Sequence, residues 1–219
     1  MKYEAVIFDF DGVLMDSGFD GFQWAFEARK NRAEENGWTM SWEDLAQGIF
    51  EPDTGQGVRN LLERNSVSWN QLKQMEEAVA DRKIKMAANN EIRLFQDSEE
   101  ILQQLDVPVA VVSNAYNEYL GRLLEELGIR NYVDFWLAPS LKNIENYRKR
   151  MKPEPEMVEE AMEELGAEKA VMIGDQIEDV LAARNAGIDS IYIGRNGDKE
   201  SKADYSVENL AEALEIIQN

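Results

Sequence analysis

Residues 6–17 read VIFDFDGVLMDS, an apolar run that ends on two aspartates, Asp9 and Asp11, with Phe10 between them. A run of this kind reads as a buried strand, so its paired carboxylates stand where a core meets solvent. The apolar run VMIG ends the same way, with Asp175 directly after it and Asp179 four residues later in GDQIED. Ser113 and Asn114 close VAVV, and Lys152 stands before Pro153 in KPEP. Singly, each has an ordinary explanation as a turn, cap or solvated residue. None of those explanations requires the same placement four times. Ligands bind beyond the carboxyl ends of strands in open parallel sheets, so these residues converge on one edge of such a sheet.

Clustered carboxylates repel one another unless a cation lies among them. An all-oxygen donor set selects a hard ion, Mg²⁺ above all. Phosphate shares the shell of such an ion readily. Ser113, Asn114 and backbone N–H groups around Gly12 can donate to phosphate oxygens, and Lys152 adds positive charge. An ionised Asp can attack phosphorus to form an aspartyl-phosphate, while a second carboxyl exchanges a proton with the leaving alcohol and with water. The chain contains no His and no Cys. That excludes a Ser-His-Asp triad, imidazole or thiolate ligands, a Cys nucleophile and disulfides.

The elements that must carry these residues follow from periodicity. Strands are predicted at 4–9, 108–113, 133–138, 170–174 and 189–193. Helices are predicted at 98–105, opened by a capping box of Asp97 and Glu100, at 115–127, 154–165 and 176–186, each of these three followed by Gly, and at about 207–217. This alternation predicts an α/β fold, a Rossmann-like parallel sheet with helices on both faces. Residues 16–92 break the rhythm with helices only. One runs from Asp16 or Ser17 to Asn36, another starts at Ser41 with Asp44 three residues on, a third covers 56–65, and a fourth starts at Ser68 with Gln71 completing its cap. Phe19, Phe22 and Phe26, beside Trp24, read as the core of a small bundle. The expected division is a catalytic core of 1–15 and 93–219 with a helical cap of 16–92 inserted after the first strand.

The 219 residues carry 43 acids against 23 bases, a formal net charge of −20. Such a field repels nucleic acid and anionic membranes, so neither is an expected partner. Its origin is either ordinary cytosolic acidity or adaptation to concentrated salt. The N-terminus reaches an Asp too early for a signal peptide, and no apolar stretch approaches the ~20 residues that span a bilayer. A cytoplasmic location is expected.

With FDFDGVLMDS (8–17), VVSNA (111–115), KPEP (152–155) and GDQIED (174–179), essentially the whole chain resembles the haloacid dehalogenase superfamily, in its phosphatase-like branch with a helical cap. The resemblance implies Asp9 as nucleophile and metal ligand. It implies Asp11 as general acid/base, binding metal through its backbone carbonyl. Ser113 would hold the transferring phosphoryl group with Asn114 and Gly12 beside it, and Lys152 would stabilise its charge. Asp175 would ligate Mg²⁺ directly and Asp179 would support it. Members that cleave carbon–halogen bonds generally lack an acid at the position of Asp11, so phosphoryl transfer is favoured.

Two departures qualify the resemblance. Sugar-phosphate mutases resembling β-phosphoglucomutase carry a His in the stretch matching 17–24, where this chain reads SGFDGFQW. Hydrolysis is therefore preferred to a phosphomutase reaction. The segment APSLKNIENYRKRMKP is longer than the usual loop and gathers Lys142, Arg148, Lys149 and Arg150, a patch suited to drawing in an anion. The cap loop EPDTGQGVR, with Thr54, Gln56 and Arg59, is the expected reader of the substrate's organic part. The sequence thus points to a Mg²⁺-dependent phosphomonoester hydrolase of small phosphorylated metabolites, monomeric or homodimeric. The rivals are a phosphomutase, a phospho-accepting receiver module and an idle binding protein on the same scaffold.

Overall fold

A computed structural model of the chain describes residues 1–16, 23–41, 62–64, 67–144 and 146–219. Thr54, Gln56, Arg59, Phe19, Phe22 and the helix expected from Ser41 lie outside the described residues, as does the side chain of Arg148.

Six strands form one all-parallel sheet: β1 (Ala5–Phe8), β4 (Val109–Val112), β5 (Phe135–Leu137), β6 (Ala170–Gly174), β7 (Asp189–Ile193) and β8 (Tyr205–Val207). Their order is β5-β4-β1-β6-β7-β8. β1 therefore lies between β4 and β6, and the chain changes direction of winding there. β2 (Met15–Asp16) and β3 (Arg93–Leu94) pair antiparallel as a separate ribbon. The ribbon and β8 are not expected from the sequence. The ribbon strands have two residues each, too short for a period to show, and β8 is half-exposed.

Two apolar layers sandwich the sheet, and β1 shows why. Its alternate residues Val6 and Phe8 face α3 (Ser98–Gln104), α4 (Asn117–Glu126) and α7 (Leu210–Gln218). Ala5 and Ile7 face α5 (Glu156–Leu165) and α6 (Ile177–Asn185). All four are fully buried. A side-chain period of two delivers them to opposite faces, as a central parallel strand requires.

Between β2 and β3 lie α1 (Gln23–Glu35) and α2 (Trp69–Ala88), packed on each other. The start of α2 has the expected cap: Gln71 N donates to Ser68 Oγ at 3.2 Å and Ser68 N donates to Gln71 Oε1 at 2.8 Å. A bidentate pair from Arg29 to Glu76 (2.7 and 2.9 Å) is buried between α1 and α2. Ala33, Leu72 and Met75 of these helices also pack with Leu141 and Ile144, on the segment leading from β5 towards Lys152.

The capping box expected at Asp97 and Glu100 is not formed. Asp97 has helical backbone angles and makes no side-chain cap bond. Its carboxylate instead accepts from Leu210 N at 2.8 Å and pairs with Arg195. A distant cation outcompeted the local N–H groups. Among the described residues, no helix is long and apolar enough to cross a membrane.

Candidate active site

Asp9 is the first residue beyond β1, and its backbone N–H still donates to Ile173 O of β6 at 2.8 Å. It keeps the parity of Ala5 and Ile7, so its side chain turns to the face covered by α5 and α6. There it meets Lys152, whose Nζ donates to Asp9 Oδ1 at 2.7 Å and to Val112 O at 2.9 Å. The same ammonium pairs with Asp179 Oδ1 at 2.6 Å. An ammonium has three protons, and this geometry occupies all of them. Lys152 is thus an orienting group for Asp9 as the structure stands, leaving Asp9 Oδ2 clear of it. These contacts lie in a nearly dry environment, with Asp9 7% and Lys152 4% exposed.

Asp179 sits in the first turn of α6, where its Oδ2 accepts from Gln176 N at 3.0 Å. It therefore caps its own helix with one oxygen and holds Lys152 with the other. Asp175 follows β6, and its Oδ2 accepts from Gln176 Nε2 at 3.0 Å. Its Oδ1 is buried without a hydrogen-bond partner. Asp9, Asp175 and Asp179 each offer an oxygen, all within 4.8 Å of one another. Two glycines let the cup close. A Cβ on Gly12 would fall 2.2 Å from Asp175 Oδ2, and one on Gly174 would fall 2.1 Å from Asp179 Cβ.

Crowding and burial leave an electrostatic mark. Burial pushes the Asp9 carboxyl up to about 7, against the pull of Lys152 and with the push of Asp179. Burial raises Asp175 to about 6, with Asp9 adding to the effect. Asp179 is raised by the same cause. Lys152 is shifted upward by Asp179 and Asp9 despite its own burial, so it stays an ammonium. Three acids face one cation here, and one acid oxygen is both buried and orphaned. That donor set fits a hard divalent cation, which would satisfy the orphan and relieve the repulsion.

Ser113 is buried, and its Oγ accepts from Ala115 N at 3.1 Å, which leaves the hydroxyl proton to donate. Asn114 clasps the backbone of Lys152: its Nδ2 donates to Lys152 O at 3.1 Å and its Oδ1 accepts from Lys152 N at 2.8 Å. The expected phosphate donor is thus committed in large part to positioning the lysine.

Asp11 departs most from expectation. Its carboxylate is not one of the three that form the cup. Both of its oxygens accept from Lys83 Nζ of α2, at 2.7 and 2.6 Å. Lys83 also lies 5.9 Å from the centre of the Phe10 ring. Sequence reading missed Lys83, which sits beside the buried stripe of Ala80, Ile84 and Ala87 and belongs to no motif. In the basic segment, Arg150 is engaged by Glu160 of α5, so the patch is less free than its composition suggested. Lys149 is exposed there, while Lys152 is the lysine in the cup.

Residues 3–187 match the family described as haloacid dehalogenase-like hydrolase. A phosphoglycolate phosphatase of Colwellia psychrerythraea is 28% identical over 86% of this chain and 83% of its own length. The pyrophosphatase PpaX of Halalkalibacterium halodurans is 29% identical over 55% of this chain and 57% of its own. Among solved structures, CbbY from Rhodobacter sphaeroides in complex with phosphate superposes with a TM-score of 0.71 at 20% identity, covering 96% of each chain.

Proposed function

The chain belongs to the haloacid dehalogenase-like hydrolases, and from that membership we propose that it is a Mg²⁺-dependent phosphomonoester hydrolase of small phosphorylated metabolites. One observation carries the reading: a buried Asp9 aligned by Lys152 beside the orphaned oxygen of Asp175. Asp9, Asp175 and the backbone carbonyl of Asp11 would hold the Mg²⁺, with Asp179 in support. The ion supplies neutralisation of the acids and of the phosphate's charge.

Within that frame the chain's own groups perform the chemistry. Asp9 Oδ2 attacks phosphorus, an O–P bond forms, and the ester P–O bond breaks. Asp11, whose two oxygens accept from Lys83 before substrate binds, exchanges that partner for a proton and gives the proton to the leaving alcohol. It then takes one from the water that cleaves the aspartyl-phosphate, releasing phosphate and restoring Asp9. The Ser113 hydroxyl donates to the phosphoryl oxygens, as do backbone N–H groups beside Gly12. Asn114 holds the Lys152 backbone so that the ammonium can keep Asp9 aimed. The helical segment 16–92 acts as a cap over a core of 1–15 and 93–219, and Lys83 brings the cap's charge to Asp11. Thr54 and Arg59 are proposed readers of the substrate's organic part. A cytoplasmic monomer or homodimer without nucleic acid or membrane partners fits this chemistry.

The test is turnover of p-nitrophenyl phosphate with Mg²⁺. Asp9→Asn should lose more than about a thousandfold in kcat while unfolding within a few degrees of wild type. Wild-type rates in that variant would overturn the mechanism. Phosphoglycolate, sugar phosphates and pyrophosphate form the panel for phosphate release, the first and last chosen from the names of the relatives. Interconversion of isomeric sugar phosphates without net phosphate release would mark a mutase instead.

A further inference from the structure

The polypeptide passes between the sheet and its helical insert twice, and both passages meet at one guanidinium. The outward passage runs through the turn at 12–13 into β2. The return runs from β3 into 95–97. Arg195, two residues beyond β7, reaches this junction from a third direction. Its Nη2 donates to Val13 O at 2.8 Å, and its Nε lies 3.4 Å from Gly12 O. Nη1 and Nη2 pair with the two oxygens of Asp97 at 3.2 and 3.1 Å. The guanidinium stacks on Phe95, 3.6 Å from the ring centre. Asp97 also accepts from Leu210 N, which ties the start of α7 to the same node.

The ribbon itself is a weak fastener. It has two residue pairs, Met15 with Leu94 and Asp16 with Arg93. Phe95 N and Ser98 Oγ add bonds to Leu14 O at 3.1 and 2.8 Å. A planar fork with five donors can hold two carbonyls and a carboxylate at once, which lysine cannot do in this geometry. The carbonyls it touches belong to the residues directly after Asp11. Gly12 in turn packs against Asp175, with no room for even a Cβ between them.

We infer that Arg195 is a positioning residue. Through Gly12, Val13, Phe95 and Asp97 it sets the turn that carries Asp11 and both connections to the insert, without belonging to the carboxylate cup. Its effect on turnover rests on the phosphatase reading; its effect on the turn does not.

The experiment compares wild type, Arg195→Met and Arg195→Lys for p-nitrophenyl phosphate hydrolysis and for amide hydrogen exchange. In Arg195→Met, kcat should fall about tenfold or more with KM within about threefold, because small misplacements of reacting groups cost rate rather than binding. Exchange should quicken at 12–16 and 93–98 while β1, β4 and β6 stay protected. Arg195→Lys should recover part of both. Unchanged kcat, or faster exchange spread evenly over the sheet, overturns the inference. If Arg195→Met does not fold, the same two readouts on Arg195→Lys decide it. If wild type releases no phosphate, the phosphatase reading falls and the exchange pattern alone decides: loss of protection confined to the two passages supports the inference, and uniform or absent change overturns it.

Discussion

Lys152 shows how a single side chain organises the cup. Its three protons go to Asp9, Asp179 and the Val112 carbonyl, so it fixes the proposed nucleophile, a helix start and a strand end together. The remaining imbalance falls on Asp9 and Asp175, raised to about 7 and about 6. In the folded protein these groups keep protons that the unfolded chain has already lost near its ordinary value of 3.8. Their contribution to stability is therefore complete below that value and is lost as pH rises through 6 to 7. In EDTA, the melting temperature should fall across this window. Mg²⁺ in excess should raise it by on the order of 5 °C, and more at pH 7 than at pH 5, where protons compete with the ion. An equal shift at both pH values would show that the ion does not bind these carboxylates.

At the scale of elements, the site is an intersection of loop ends rather than a property of any one helix. β1, β4 and β6 deliver Asp9, Ser113 and Asp175, α6 delivers Asp179, and the segment before α5 delivers Lys152. The close approach of the loops after β1 and β6 depends on Gly12, which has φ +80 and no space for a side chain. Gly12→Ala should strain the turn by about 1–2 kcal/mol and push Asp175 away from Asp9. We expect a lower melting temperature and at least about tenfold weaker Mg²⁺ dependence of turnover. An unaltered Mg²⁺ titration would mean the turn does not set the Asp175 position.

Over the whole molecule, net charge adds to the chain entropy that works against the fold. A net −20 on 219 residues opposes compaction wherever screening is weak. Exposed pairs such as Arg82 with Glu91 and Lys30 with Glu34 offset little of it, since surface ion pairs contribute up to about 1 kcal/mol each. The melting temperature should rise steeply with KCl into the molar range if acid crowding limits stability. A flat profile would point to ordinary acidity with no salt adaptation.

The amino-acid sequence by itself determined the alternation of strands and helices, the parallel sheet, and the strand ends where Asp9, Ser113 and Asp175 stand. Those features are local: an apolar run, its parity and the polar residue that ends it are written within a few positions of one another. Tertiary structure alone decided the partners. Asp11 turned to Lys83, Asp97 turned from its own helix to Arg195 and Leu210, and Asn114 turned to the Lys152 backbone. Each of these bonds joins residues that lie 38 or more positions apart. A carboxylate or an amide has several possible partners of similar strength, and which one it meets depends on how the helices pack, which no local pattern records.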